Sequence, residues 1–195
     1  MMPGPCDRTM TLRKVKPAAT MQHAGTDGQR RGETTMKMLL AVDGSGPSLH
    51  AVRHALALAA QGLDAQFVVV NVQEPASLYE MVVAHDPAVI EQVRGAAGAD
   101  LIEAAERLLE EAGVDYESEV AGGTPATLIV ELAENYGCQA IVCGARGAGD
   151  PEGSGLGSVA QALVDHCPMP VTVVRAQAQP AAAEGDDPGE GPDAG

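Results

Sequence analysis

Met36-Lys37-Met38-Leu39-Leu40-Ala41-Val42-Asp43-Gly44-Ser45-Gly46-Pro47 is the stretch that decides the fold. A continuous apolar run stops at Asp43 and gives way to a Gly/Ser loop. Pro47 then fits the first turn of a helix, where its missing N–H leaves no hydrogen bond unmade. Val52, Ala55, Leu56 and Ala59 follow at i, i+3, i+4 and i+7, one face of that helix, and Gly62 closes it. Strand, tight loop and helix form one unit, and the same order recurs down the chain.

Phe67-Val68-Val69-Val70-Asn71-Val72 is too continuous for a half-exposed strand and reads as a buried parallel one. A helix is expected from about Pro87 to Ala112, with Leu101, Ala104, Ala105 and Leu108 on one face, loosened at Gly95 and Gly98. Val114 to Val120 alternates as a strand. Thr124-Pro125 starts the next helix, with Thr as N-cap and Pro at the first helical position. Ile129, Leu132, Ala133 and Tyr136 form its stripe and Gly137 its stop. Ala140 to Cys143 is a short buried strand. A Gly-rich loop, a helix from about Ser158 to His166 and a strand Val171–Val174 complete the unit. Five strands alternating with four helices predict an α/β fold, a Rossmann-like five-stranded parallel sheet with helices on both faces, because right-handed crossovers allow little else.

The flanks have a different composition. Residues 1–35 mix Gly, Pro, Thr, Gln and Arg without an apolar period and read as a disordered N-terminal tail; Met36 is a candidate initiator. Residues 176–195 are rich in Ala, Pro, Gly and acids and read as a disordered acidic tail. The folded domain is 36–175. Of the formal charge of −15, the domain carries six basic and nineteen acidic residues, whereas residues 1–35 hold six basic and three acidic ones. Phosphate-backbone binding needs clustered cations, so nucleic acid is excluded as a general partner. Aromatic content of 2% removes base-stacking platforms. No run approaches the roughly 18 apolar residues of a membrane span. The N-terminus has no apolar segment of a secretory signal. Cys6, Cys138, Cys143 and Cys167 lack CxxC or metal-ligand spacing and read as reduced thiols, which places the chain in the cytoplasm.

The chemistry concentrates in Gly144-Ala145-Arg146-Gly147, nine residues, then Gly157-Ser158: G-x2-G-x9-G-[ST]. At this chain's composition a chance match is expected roughly 0.02 times, so the pattern is specific enough to build on. Gly144 and Gly147 follow a buried strand, and Gly157-Ser158 opens a helix. Glycines there let the backbone approach an anion, and first-turn N–H groups point at it. A ligand-free Gly-rich connection is the competing explanation. A Walker loop is excluded, because no Lys lies after Lys37. Neither Gly44 nor Gly147 opens a dinucleotide GxGxxG. His50 and His54, at i and i+4, lack the Glu of a zinc-protease motif, and His166 with Cys167 ends a helix.

The start Ala41-Val42-Asp43-Gly44-Ser45, the Gly144 motif with its spacing intact and the ending Pro170-Val171-Thr172-Val173-Val174 resemble a universal stress protein of the ATP-binding type, over residues 36–175. The resemblance implies a sheet order of 3-2-1-4-5, which sets the ends of strands 1 and 4 side by side where the winding reverses, a place that favours ligands. It implies that Ala41, Val42 and Asp43 line the adenosine side and that Val72 meets the adenine edge. Cys143 stands where the family commonly has Met. Gly144, Arg146 and Gly147 would contact ribose and phosphates, and Gly157, Ser158 and Val159 would offer N–H groups and a hydroxyl to the phosphates. Asp43 suits ribose or adenine better than phosphate; its alternative role is N-cap of the first helix. The nine-residue spacer departs from the family in carrying Asp150 and Glu152, which repel a triphosphate unless Mg²⁺ bridges them. ATP, AMP or ADP is therefore the implied ligand, with Mg²⁺ held through the phosphates.

The implied function is a cytosolic regulator in stress response, a homodimer through Val171–Val174 with protein clients and at most an incidental ATPase. Two alternatives stay open: a nucleotide-free dimeric interaction module of the same fold, and a slow ATP-hydrolysing enzyme.

Overall fold

The computed structural model describes residues 12–16, 35–74, 87–149 and 154–175. In chain order the elements are β1 (Leu12–Lys16), β2 (Met36–Ala41), α1 (Gly46–Ala60), β3 (Ala65–Gln73), α2 (Pro87–Ala112), β4 (Tyr116–Gly122), α3 (Pro125–Asn135), β5 (Ala140–Gly144), α4 (Ser158–His166) and β6 (Val171–Val174). They form one sheet in the order β1-β4-β3-β2-β5-β6. The five strands from β2 onward are all parallel and give the order 3-2-1-4-5.

Each face of the sheet has its own core. Leu40, Val69 and Val142 stand in register across three central strands and pack with Val52 and Ala55 of α1 and Ile102, Ala105 and Leu109 of α2. Leu39, Val68 and Ile141 point to the other face, against Ile129 and Leu132 of α3 and Leu163 of α4. Strand β3 is therefore covered on both sides, which is why its sequence runs apolar without alternating. Phe67, the chain's one Phe, is fully buried there, and burying a side chain of that size contributes about 1.5–3 kcal/mol.

Local signals set the element ends, with some reassignments. Ser45, not Asp43, is the N-cap of α1: its side chain accepts from the Ser48 N–H at 3.4 Å, and Pro47 occupies the first turn. Thr124 holds the cap position of α3 without making a side-chain capping bond. Gly98 does not loosen α2. The helix is continuous there, and a Cβ at Gly98 would collide with Val120, so the glycine lets α2 sit close on the sheet.

The main departure from expectation lies in residues 1–35, read from composition as disordered. Residues 12–16 form β1, antiparallel to β4 on the sheet edge. Five residues are too short for a periodic signal, and the partner strand lies about a hundred residues away in sequence.

Candidate functional site

A cleft of about 540 Å³ opens over the C-terminal ends of β2, β3 and β5, where the winding of the sheet reverses. All eleven residues singled out from the sequence line it. Ala41, Val42 and Asp43 come from the end of β2 and Val72 from β3. Cys143 and Gly144 end β5, Arg146 and Gly147 lie in the following loop, and Gly157, Ser158 and Val159 open α4. Buried Asn71 braces this end of the sheet by donating from Nδ2 to the Val42 carbonyl at 2.8 Å.

Sequence reasoning did not find Glu74 after β3, Pro125 and Ile129 of α3, or Leu156 before α4, all of which also line the cleft. Ile129 was legible as a core residue of its helix. Its second role depends on where the crossover lays α3 across the sheet, and no local spacing encodes that.

Asp43 stitches two loops together. Its Oδ1 accepts from the Ser45 N–H at 3.0 Å and the Ser45 hydroxyl at 2.5 Å, and its Oδ2 accepts from the Ala148 N–H at 2.8 Å. Burial pushes the Asp43 carboxyl up, but the hydrogen bonds from Ser45, Ser48 and Ala148 outweigh it and hold the group below its ordinary value. Both oxygens thus face the protein's own donors. Asp43 lines the cleft as the clip between its two main loops.

The glycine motif is also joined to itself. The Gly157 N–H donates to the Ala145 carbonyl at 2.8 Å, and the Ala145 N–H donates to Val174 at 2.7 Å, so the loop after β5 is tied to α4 and to β6. Arg146 donates from Nη2 to the Gly155 carbonyl at 2.6 Å, across the spacer. Asp150 and Glu152 lie outside the described residues. Gly157, at φ −68° and ψ 162°, is the N-cap of α4 and supplies no side chain to its first turn. The first-turn N–H groups have no intrahelical acceptor, and this turn, at Ser158 and Val159, lines the cleft. Cys143 is buried in the cleft wall, and that burial pushes its thiol up to about 11, so it acts as a small apolar surface.

The lining combines apolar side chains, Ala41, Val42, Val72, Ile129 and Leu156, with main chain and hydroxyl at Gly147, Gly157 and Ser158. This mixture fits a ligand with an apolar part and an anionic part. Among the described residues, no group of three or more His, Cys, Asp or Glu is placed to hold a metal ion. No described helix is long and apolar enough to cross a membrane.

Fold and cleft together define a class: an open, doubly wound α/β sheet with a ligand-sized crevice at its switch point. Residues 34–175 match the Universal stress protein family, and the chain belongs to that family. It is 31% identical over 147 residues to the universal stress protein MJ0531 of Methanocaldococcus jannaschii, covering 75% of this chain and 86% of that one. Among solved structures it superposes on a universal stress protein family protein of Arabidopsis thaliana with AMP bound. The TM-score there is 0.53 at 20% identity, over 76% of this chain and 97% of that one. It also superposes on a universal stress protein in complex with cAMP, with a TM-score of 0.54 at 22% identity, over 71% and 96% of the two chains.

Proposed function

We propose that the cleft binds an adenine nucleotide, ATP or its mono- and diphosphate relatives, and that the protein acts as a nucleotide-dependent regulator in the cytosolic stress response. The observation that carries this proposal is convergence. Residues from three strand ends and one helix start, up to 118 positions apart between Ala41 and Val159, line a single cleft that combines apolar side chains with main-chain and hydroxyl groups. The two related folds with AMP and cAMP support the choice of an adenine nucleotide. Ala41, Val42, Val72 and Cys143 would pack on the base side. Gly144, Arg146 and Gly147 would lie along ribose and phosphates, with Gly157, Ser158 and Val159 at the phosphates. Mg²⁺ would enter with the phosphates. Binding, not turnover, is the proposed role, and β6 is the proposed edge for a homodimer because its β-branched residues leave an edge that invites pairing.

A second possibility, a nucleotide-free interaction module, is favoured by one observation: Asp43 and Arg146 already bond to the chain's own atoms. One substitution separates the two. Ser158→Pro removes a first-turn N–H and a hydroxyl, yet proline suits the first helical position, and Gly157 already has the extended backbone that precedes proline. Nucleotide released from freshly purified protein is quantified, and ATP, ADP and AMP are titrated with and without Mg²⁺. The nucleotide proposal expects saturable binding that weakens about tenfold or more in Ser158→Pro with the melting temperature unchanged. No binding at millimolar nucleotide would leave the interaction module.

A further inference from the structure

β1, Leu12-Arg13-Lys14-Val15-Lys16, lays three basic residues along the outer edge of β4. Register places Arg13 opposite Glu119, Lys14 opposite Ser118, Val15 opposite Glu117 and Lys16 opposite Tyr116. Each of those β4 positions has a carboxylate at hand. Glu119 is itself buried and accepts from the Tyr136 hydroxyl. The Ser118 hydroxyl donates to Glu106 of α2 at 2.6 Å, and the Tyr116 hydroxyl donates to Glu110 at 2.8 Å. Glu117 differs, because Lys37 of β2 already binds it at 2.8 Å, and the residue opposite Glu117 is the apolar Val15. Cations thus stand opposite three positions, and an apolar residue stands where the sheet has supplied its own cation.

We propose that the outer edge of β4 is a docking site for extended basic segments with the spacing cation-cation-apolar-cation, and that residues 12–16 are its built-in, displaceable occupant. Main-chain pairing along the edge supplies affinity and the flanking carboxylates supply selectivity, as in strand addition generally. Residues 12–16 precede the family-matched residues 34–175, so the occupant is an addition to the domain. Among the described residues β4 is its one strand partner. Nineteen residues, 17–35, connect it to β2. They need to cross only about three strand spacings, roughly 15 Å. A tether of that length holds the segment at an effective concentration of the order of millimolar. A free peptide must outcompete that tether, and weakening the tethered strand opens the site.

The test uses the full chain and a fluorescein-labelled peptide of residues 9–19. Charge reversal at Arg13→Glu, Lys14→Glu and Lys16→Glu makes the tethered segment repel the acids, and those positions lie outside the family domain. The reversed chain is expected to bind the peptide at least tenfold more tightly than the unaltered chain, and to lose that gain in about 0.5 M salt, where the screening length falls below 5 Å. A peptide carrying the same three reversals is expected not to bind. Equal affinity for both chains, absence of binding to either, or binding of the acidic peptide overturns the proposal. A second readout needs no variant: in the unaltered chain, β4 amides on the β1 side should exchange at least tenfold faster in about 0.5 M salt than at low salt. Salt-independent exchange would equally overturn it.

Discussion

The two halves of the glycine motif look alike in sequence and differ in what they must accommodate. A Cβ at Gly144 would lie 2.9 Å from the backbone of Pro47, and one at Gly147 would lie 2.6 Å from Oδ2 of Asp43. A Cβ at Gly157 would meet Arg146 Cα at 3.4 Å, ordinary packing. The first half is thus required by the fold itself, because the loop after β5 passes against the start of α1 and the Asp43 clip. The second half carries no such demand. A glycine in a nucleotide motif is often credited to the ligand; here two of the three are accounted for by close approach within the chain.

Substitutions can break this contrast, and the largest effect belongs to Gly144. Gly144→Val forces two branches toward the fixed main chain of Pro47, and a loss of about 3 kcal/mol is expected in urea unfolding. Loss of nucleotide binding in that variant would therefore report on folding. Gly147→Ala displaces a side chain, not a backbone, and breaks the bond from Ala148; a loss of about 1–2 kcal/mol is expected. Ser158→Pro, in the second half, should leave stability within about 0.5 kcal/mol while affinity falls. If Ser158→Pro unfolds as readily as Gly144→Val, the two halves are not distinct.

Acid titration sharpens the role of the clip. The folded Asp43 carboxyl lies below its ordinary value, so between the folded and unfolded values the unfolded chain binds more protons. Its contribution is fully present above about pH 4. It is lost as pH falls through the folded value. Asp43→Asn should flatten that part of the stability profile and leave the neutral-pH slope unchanged, as measured by unfolding at several pH values. The smallest effect concerns the thiols. Burial pushes both Cys143 and Cys138 up to about 11, whereas Cys167 is half-buried. Among the three thiols of the described residues, alkylation at pH 7.5 should label Cys167 first, and a bound nucleotide should slow Cys143 alone.

The parallel sheet and the cleft were legible because their signals are local. Apolar runs such as Phe67–Val72 mark buried strands, and Pro47 and Pro125 mark helix starts within a turn. The position of Asp43 opposite the motif loop needed only the strand order. What escaped were relations between distant segments. Ser45 took the capping role because its hydroxyl, oriented by Asp43, sits nearer the helix start. Pro125 and Ile129 reach the cleft only because α3 returns over the sheet. β1 was hidden most completely: Leu12 to Lys16 has no pattern of its own, and its partner acids acquire meaning only once β4 is known to be an edge.

The chain has three lysines, and all converge on one strand: Lys14 and Lys16 lie in β1 and Lys37 bonds to Glu117 of β4. Side-chain amine chemistry is therefore confined to one flank of the molecule. Acetylation, carbamylation or an amine-directed crosslinker would strike the covered edge and bypass the cleft, whose motif cation is an arginine. A lysine-modification map of this protein would read out the state of β1 over β4.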